Sequence, residues 1–335
     1  MENPVLVEVL RGGTVESRHR GAVAVVDADG GTVMEIGDVA RPVFPRSAVK
    51  AIQALPLVES GAADAFGFGP RELALACASH SGEKEHAALA AAMLASAGLD
   101  ESALECGAHW PTRQQAALEL AAQGRTPSAL HNNCSGKHAG FLCTCRHLGL
   151  DHRLYVRADH RAQQAVREAM EAVTGAAHAA GTCGTDGCSI PTYAVPLKDL
   201  ARGFARMAAG VGLGPERARA ARRLVDACMA EPFFVAGTDR FDTRLMRAAG
   251  GRVMVKTGAE GVYCGAVPEL GLGIALKCDD GAARAAEVMV CAVLQRLLAA
   301  VDPGLSAAMG EMARPTLKNW NGIEVGALRP AAAIS

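Results

Sequence analysis

The sequence predicts a mixed α/β fold in which strands from both ends of the chain form one mainly antiparallel sheet and the middle forms a helical lobe. Short apolar runs with the spacing of strands lie near both termini, whereas the alanine-rich middle has the spacing of helices. Short turns join the C-terminal strands, which must therefore run antiparallel. We expect a single domain over residues 1–330, with the sheet from about 1–45 and 250–330, the helical lobe over about 46–250, and a frayed tail at 331–335.

The individual elements follow from local spacing and from turn residues. The expected strands are 6–10, 22–27, 31–36, 253–257, 262–267, 272–277 and 322–328. The expected helices are 83–97, 113–122, 160–173, 197–209, 215–229 and 281–300, with an earlier helix beginning near Ser47. Asp29-Gly30-Gly31, between the second and third strands, is typical of a hairpin turn.

Charge and cysteine content exclude several classes of partner. The chain carries 34 basic and 35 acidic residues and no run of basic ones, so we expect neither nucleic acid nor a membrane as a partner. No apolar stretch reaches the roughly 18 residues that a membrane span needs, and the first residues do not have the pattern of a signal peptide. Eleven cysteines, an odd number, do not indicate a disulfide framework. We therefore expect a cytoplasmic protein with a small-molecule substrate.

The most informative motif is the pair Ser47 and Lys50, three positions apart in Pro45-Arg46-Ser47-Ala48-Val49-Lys50. On a helix this spacing places both residues on one face, and backbone N–H groups at the helix start could stabilise an oxyanion beside Ser47. A serine becomes a strong nucleophile when a base takes its proton, and a lysine serves as that base only if its pKa falls. We predict that Ser47 is the nucleophile and Lys50 its base. The alternative is a helix-capping serine beside a solvated lysine.

Two further motifs extend this pattern. Ser79-His80-Ser81 precedes a predicted helix, and Lys256-Thr257-Gly258 lies on a predicted strand. Lys256 would supply a second ammonium group that lowers the pKa of Lys50. The order of S-x-x-K, a serine motif and K-T-G is that of the penicillin-recognising serine enzymes, although the middle motif lacks the asparagine of S-x-N. His80 could be a general base, but a single loop histidine more often has a structural role.

A third group of candidate residues is rich in cysteine and small polar residues. The segments are 131–140, with the sequence HNNCSGKHAG, and 183–191, with the sequence CGTDGCSIP. The two loops could converge on a metal ion, although their spacing is not that of a zinc finger. Cys134 could instead be a nucleophile with His138 as its base. A third interpretation is a structural loop that holds buried thiols.

These motifs, in this order, resemble the L-asparaginase II family, the third structural class of L-asparaginases. The segments that carry the resemblance are 4–13, 45–50, 77–83, 131–138, 184–188 and 256–261. The resemblance extends over nearly the whole chain, and the asparagine-cysteine segment is specific to this family. It implies a fold related to the serine β-lactamases, a homodimer, and hydrolysis of L-asparagine to L-aspartate and ammonia.

The resemblance also assigns the catalytic residues. Ser47 with Lys50, and Ser79 with Lys256, match the two Ser-Lys tandems of the family. No separate glutamate motif for deacylation is evident, which sets the chain apart from β-lactamases.

The metal-binding and substrate-binding positions follow from the same resemblance. Cys134, Lys137 and Cys188 match the positions that bind zinc, so Zn²⁺ is the expected cofactor. Asp186 matches an acid beside that site, and we expect Asp186 and His138 to contact the substrate. Because a lysine ligand must be neutral, the zinc site should weaken at low pH. We expect zinc to shape the pocket or hold substrate, and we do not expect it to generate the nucleophile.

Two other functions remain open at this point. One is a β-lactamase or D,D-peptidase, which the expected cytoplasmic location disfavours because peptidoglycan cross-links lie outside the membrane. The other is a non-catalytic zinc or thiol sensor that uses Cys134 and Cys188, with the serines as helix caps. Ammonia release from asparagine, measured beside turnover of a β-lactam, separates an asparaginase from a β-lactamase or D,D-peptidase. Ammonia release unchanged in a Ser47→Ala variant would favour the sensor.

Overall fold

The computed structural model describes residues 2–335, and strands from both ends of the chain form its main sheet. The strands are β1 (Val5–Arg11), β2 (Thr14–Asp27), β3 (Thr32–Ile36), β4 (Pro42–Val43), β5 (Cys183–Thr185), β6 (Pro191–Tyr193), β7 (Val195–Pro196), β8 (Met254–Thr257), β9 (Val262–Val267), β10 (Leu272–Cys278), β11 (Thr316–Lys318) and β12 (Glu324–Pro330). Eight of them form one sheet in the order β11-β12-β1-β2-β10-β9-β8, with β3 also paired to β2. Every pair in this sheet is antiparallel, as the sequence predicts.

The middle of the chain is helical. The helices are α1 (Lys50–Gln53), α2 (Leu55–Glu59), α3 (Ala62–Ala65), α4 (Pro70–Ala76), α5 (Lys84–Ser96), α6 (Gln114–Ala122), α7 (Ser135–His147), α8 (Arg161–Thr174), α9 (Leu197–Ala209), α10 (Pro215–Ala230), α11 (Pro232–Val235), α12 (Phe241–Ala248), α13 (Ala283–Leu298) and α14 (Pro303–Met312). Short 3₁₀ helices occupy Arg46–Val49, Glu101–Ala103, Ala129–His131, Ala180–Thr182 and Pro268–Leu270. The prediction of a mixed α/β fold with a helical lobe between the two groups of strands is confirmed.

Strand β2 joins two parts of the sheet. Its first half pairs with β1, and its second half pairs with β10, where Gly21 is aligned with Cys278. A glycine is needed at this change of partner, because a Cβ at Gly21 would lie 2.4 Å from the carbonyl oxygen of Lys277. The expected hairpin connects β2 to β3, with Gly30 at a φ of 96°.

The central strands are covered by helices. Strand β9 is buried along its whole length, and α9 packs on β2, β9 and β10, while α13 packs on β1, β9, β10 and β12. Gly273 lets α9 approach closely, because a Cβ there would lie 1.9 Å from the carbonyl oxygen of Ala201. A continuous apolar core results, which fixes the strand β8 that carries one of the predicted catalytic lysines.

Two local predictions differ from the structure. The helix expected from Ser47 is divided into a 3₁₀ helix, α1 and α2, and Pro56 at the start of α2 has no N–H with which to continue α1. The tail expected to fray forms a turn instead. The N–H of Ala331 donates to the carbonyl of Leu6 at 2.8 Å, and Ile334 is fully buried, so apolar packing holds the tail. Within residues 2–335, no helix has the length and apolar character to cross a bilayer.

Candidate active site

The Ser79 hydroxyl lies between the side chains of both predicted catalytic lysines. The ammonium nitrogen of Lys256 lies 2.9 Å from Ser79 Oγ, and that of Lys50 lies 3.0 Å from the same atom. Both lysines are fully buried, and Ser79 is 7% exposed. The backbone N–H of Ser79 donates to the carbonyl of Val235 at 3.0 Å, which fixes the loop between α4 and α5. The structure thus brings together three of the four predicted catalytic residues.

Lys50 reaches Ser79 from the first turn of α1. Its ammonium group also contacts the carbonyl oxygen of Ala78 at 2.5 Å and the sulfur of Cys134 at 3.1 Å. A buried ammonium group needs such acceptors, because it has lost its water. These contacts turn the Lys50 side chain into the protein and away from the solvated position that was the alternative interpretation.

Strand β8 carries Lys256, whose side chain also reaches Ser79. The strand pairs with β9, where Lys256 is aligned with Cys264, and the Lys256 ammonium also donates to the carbonyl oxygen of Thr257 at 2.9 Å. Gly258 then passes close to the turn that carries Ser47. A Cβ on Gly258 would lie 2.5 Å from the carbonyl oxygen of Pro45, so this position of the K-T-G motif requires glycine.

Ser47 is the predicted catalytic residue that the structure leaves apart from the hydrogen-bonded group. It is half-buried in the 3₁₀ helix Arg46–Val49, and its hydroxyl forms no hydrogen bond within residues 2–335. Its carbonyl accepts the backbone N–H of Lys50. The spacing of three residues places both on one turn as expected, but the Lys50 side chain points to Ser79.

Burial changes the protonation of Lys256. Burial, together with the positive charges of Lys50 and Arg240, lowers the pKa of Lys256 to about 7, while the negative charges of Asp242 and Cys134 act in the opposite direction. A substantial fraction of Lys256 is therefore neutral near neutral pH. A neutral amine beside a serine hydroxyl can accept its proton.

The predicted metal ligands are also close together. The ammonium of Lys137 lies 3.2 Å from the sulfur of Cys188, and the Cys188 and Cys134 side chains are close enough to influence each other's protonation. The neighbouring thiol of Cys188, together with the charges of Lys50 and Lys137, lowers the pKa of Cys134 well below its usual value, although burial opposes the change. Burial lowers the pKa of Lys137, but the neighbouring Cys188 and Cys134 raise it overall. Two sulfur donors and one nitrogen donor suit Zn²⁺, provided that Lys137 gives up a proton.

A second group of metal-binding residue types lies elsewhere. Within the part of the chain that the structure describes, His19, Cys278 and Asp280 are the three such residues with ligand atoms within 4.8 Å of one another. The carboxylate of Asp280 already accepts from the backbone N–H of Ala282 at the start of α13. The positive end of this helix disfavours a cation there, so we regard the group as a helix cap.

His138 is buried and has one free nitrogen. Its Nδ1 atom lies 2.7 Å from the hydroxyl oxygen of Tyr155, which also accepts the backbone N–H of Glu105. The hydroxyl proton of Tyr155 is therefore free to go to Nδ1, and the ring proton of neutral His138 then lies on Nε2. Nε2 has no partner within residues 2–335. Burial and the charges of Lys137 and Lys50 lower the pKa of His138, so the ring is neutral.

Asp186 is held by an arginine. Arg46 Nε donates to the Asp186 carboxylate at 2.8 Å, and the backbone N–H of Gly187 donates at 2.7 Å. Burial raises the pKa of Asp186, but the charges of Lys137 and Arg46 lower it overall. Arg46 has a φ of 51°, unusual for a residue other than glycine, and this conformation is held next to Ser47.

Two alternative interpretations find no geometric support. His80 is fully buried, and its Nε2 lies 2.9 Å from Ser135 Oγ while its Nδ1 accepts the N–H of Gly82, so both nitrogens have structural partners. His138 contacts Tyr155, whereas the charged neighbour of Cys134 is Lys50, so no Cys134-His138 pair forms.

Sequence reasoning missed Asp242 and Tyr155. Tyr155 is buried and contacts His138, and Asp242 is buried and accepts the backbone N–H of Thr257, the residue after Lys256. The sequence offers a weak signal for each: Tyr155 is one of three tyrosines, and Asp242 stands in an apolar helical pattern. Neither signal indicates which side chain the residue contacts.

Comparisons with known structures list proteins of low sequence identity. A β-lactamase from Mycobacterium bovis is 13% identical, with a TM-score of 0.40 and coverage of 88% of this chain and 94% of that chain. A protein titled Mglu is 18% identical, with a TM-score of 0.37 and coverage of 85% and 67%. Mglu in its tris and glutamate form is 20% identical, with a TM-score of 0.37 and coverage of 90% and 63%. A search of the curated proteins finds no match.

Family comparison gives a direct result. The protein-family model described as L-asparaginase II matches residues 7–330, which is nearly the entire chain. The matched range includes the residues from the Ser47 turn to the K-T-G strand. The chain belongs to the L-asparaginase II family, and is thus an amidohydrolase that acts on asparagine.

Proposed function

We propose that the protein hydrolyses L-asparagine to L-aspartate and ammonia through an ester of Ser79, with Lys256 as the base. The observation that carries this proposal is the position of Ser79 Oγ, 2.9 Å from Lys256 and 3.0 Å from Lys50. A hydroxyl group at hydrogen-bonding distance from an amine with a pKa of about 7 has the arrangement of an activated nucleophile.

The reaction has two stages. Ser79 Oγ attacks the side-chain amide carbon of asparagine, and Lys256 takes the hydroxyl proton. The protonated Lys256 then gives this proton to the departing nitrogen, which leaves as ammonia, and a β-aspartyl ester remains on Ser79. Water attacks the ester while Lys256 again accepts a proton, and aspartate leaves when the proton returns to Ser79 Oγ.

The geometry favours Ser79 over Ser47 as the nucleophile. The sequence motif favours Ser47, because that residue has a lysine three positions away. What supports Ser79 is that both lysine side chains converge on it, whereas the Ser47 hydroxyl has no hydrogen-bond partner within residues 2–335. Lys50 then acts as a hydrogen-bond donor beside Ser79, and Ser47 is free to contact substrate.

We also propose that zinc binds Cys134, Lys137 and Cys188. The support is the convergence of these three side chains and their donor types. When bound there, zinc would supply a Lewis-acidic charge that holds the pocket or a substrate group. Lys137 must be neutral to bind the metal, so metal affinity should fall as pH decreases.

Substrate recognition would use the groups around these residues. The unpartnered Nε2–H of His138 is a neutral donor suited to a carbonyl or carboxylate oxygen of the substrate. The Asp186 carboxylate, held by Arg46, suits the substrate ammonium group. The expected homodimer remains part of the proposal, and sedimentation of the purified protein tests it.

The deciding experiment compares Ser79→Ala and Ser47→Ala with the unmodified protein. Ammonia release is measured with asparagine and with glutamine. Turnover of nitrocefin, a β-lactam probe, is measured in parallel. We expect asparagine hydrolysis that Ser79→Ala abolishes, with an aspartyl adduct on Ser79 detected by mass spectrometry after acid quenching. An adduct on Ser47 alone would refute the assignment of the nucleophile.

A further inference from the structure

Asp242 is a buried carboxylate that the assigned motifs do not include. It is 2% exposed and lies in the first turn of α12. Its Oδ2 accepts the backbone N–H of Thr257 at 3.0 Å, and its Oδ1 accepts the hydroxyl of Tyr263. A buried carboxylate is costly unless it is well bonded, and here two donors and the positive end of a helix stabilise its charge.

The two donors connect Asp242 to the strand that carries Lys256. Thr257 is the next residue after Lys256 on β8, and Tyr263 lies on β9, where it is aligned with Thr257. Asp242 therefore ties the last residue of β8 to its neighbour from the side of α12. The backbone direction at Thr257 sets where the Lys256 side chain leaves the strand.

Asp242 also supplies charge. Two lysines with no exposed surface converge on Ser79, and each has a buried neighbour that can carry a negative charge. Cys134 contacts Lys50 at 3.1 Å, and Asp242 acts on Lys256. The charged and titratable groups that act on Lys256 are Lys50, Arg240, Asp242, Cys134, Cys77 and Cys264. Beside Asp242 lie the half-buried Glu287 and, close to Glu287, Arg244.

We propose that Asp242 is a positioning residue for the hydrolysis, which fixes the strand end beside Lys256 and supplies the buried negative charge that balances this lysine. The inference rests on the proposed function, because it requires Lys256 to be the base. When Lys256 takes the proton of Ser79, a second positive charge forms beside Lys50. The carboxylate of Asp242 stabilises that protonated state, and so lowers the barrier to proton transfer.

A pH profile separates this role from a purely structural one. Removal of the carboxylate charge should lower the pKa of Lys256 further, so the acid limb of kcat should move to lower pH by about one pH unit. Turnover at the plateau should fall about tenfold or more, with little change in KM, because the loss concerns the protonated intermediate and not substrate binding.

The variants are Asp242→Asn, which is nearly isosteric, and Asp242→Ser, which is smaller and removes the same charge. The matched control is Tyr263→Phe, which removes a hydrogen bond to the carboxylate but keeps its charge. We expect the acid limb of kcat to move to lower pH in both charge-removing variants. In the Tyr263→Phe control, we expect it to keep the wild-type midpoint. The proposal would be overturned if the midpoint of the acid limb were unchanged in whichever Asp242 variants fold. It would also be overturned if the midpoint moved by the same amount in Tyr263→Phe.

A Lys256→Gln variant separates failure of this inference from failure of the proposed function. If Lys256→Gln retains wild-type turnover, Lys256 is not the base and both proposals fail. If Lys256→Gln is inactive while the Asp242 variants keep the wild-type limb, the inference about Asp242 alone fails.

Discussion

The ammonium nitrogen of Lys256 lies 2.9 Å from the hydroxyl oxygen of Ser79, although 177 positions separate the two residues in the chain. Ser79 comes from a loop of the helical lobe and Lys256 from the sheet. This pair therefore exists only where the lobe and the sheet meet, and its properties depend on the packing of both.

Replacement of the two serines should have unequal effects. Ser79→Ala should lower kcat by about three orders of magnitude or more, the scale observed when a catalytic nucleophile is lost. Ser47→Ala should lower it far less and should mainly change KM, since the Ser47 hydroxyl has no hydrogen bond to either lysine side chain. Steady-state ammonia release with asparagine measures both. Equal loss of kcat in the two variants would contradict the assignment.

Turnover should increase as pH rises through about 7. Burial and neighbouring positive charges lower the pKa of Lys256 to about 7, and the base is active only above that value, when the amine is neutral. We expect an acid limb with a midpoint near pH 7 and a mildly alkaline optimum in kcat. Lys256→Arg should be nearly inactive, because a guanidinium stays protonated. An optimum near pH 5, or an active Lys256→Arg, would exclude lysine as the base.

Removal of zinc, or Cys188→Ala, should raise KM more than it lowers kcat. One of the three proposed ligands, Cys134, contacts Lys50, but none of the three is a hydrogen-bonding partner of Ser79. Metal content and ammonia kinetics are measured with and without a chelator. Cys183→Ala is the matched control, since this thiol lies in the same segment, donates to the carbonyl of Gly184, and is not one of the proposed ligands. Normal asparagine binding with complete loss of turnover in the metal-free protein would refute this prediction.

Gly258→Ala should disturb the active site through packing. The added Cβ would lie 2.5 Å from the carbonyl oxygen of Pro45 and 3.2 Å from Ala48, so the Ser47 turn or the end of β8 must move. We expect a loss of about 1–3 kcal/mol in the free energy of unfolding, typical of overpacking, together with a lower kcat. Gly181→Ala is the control, because a Cβ there meets no atom within 4 Å. Thermal unfolding and kinetics measured on both variants check this expectation, and equal behaviour would contradict it.

The sequence predicts much of the fold because its signals are local. The helix 197–209 is predicted with the bounds that the structure has, since its apolar positions recur with helical spacing. The residues of the candidate active site can also be named from the sequence, because they lie in short motifs. The pairing of Ser79 with Lys256 follows from the family resemblance, and these two side chains lie 2.9 Å apart. The partner of Lys50 is not predicted, because spacing along a helix says that Ser47 and Lys50 share a turn but does not give the direction of the Lys50 side chain, which finds buried acceptors at Ala78 and Ser79. The ordered tail likewise depends on a distant contact, between Ala331 and Leu6.

The long strand β2 has a consequence for how the enzyme is made. Its second half is synthesised early, but its partner β10 is synthesised only after the entire helical lobe. Gly21, for example, pairs with Cys278, which comes much later in the chain. Contacts this distant in sequence form late and slowly. On the ribosome, the nascent chain therefore has an unpaired β edge, and Ser79 is synthesised well before its partner Lys256. Hydrolytic activity thus appears only when the sheet closes, so a truncated translation product should consume no asparagine and should be a target for chaperones or proteases.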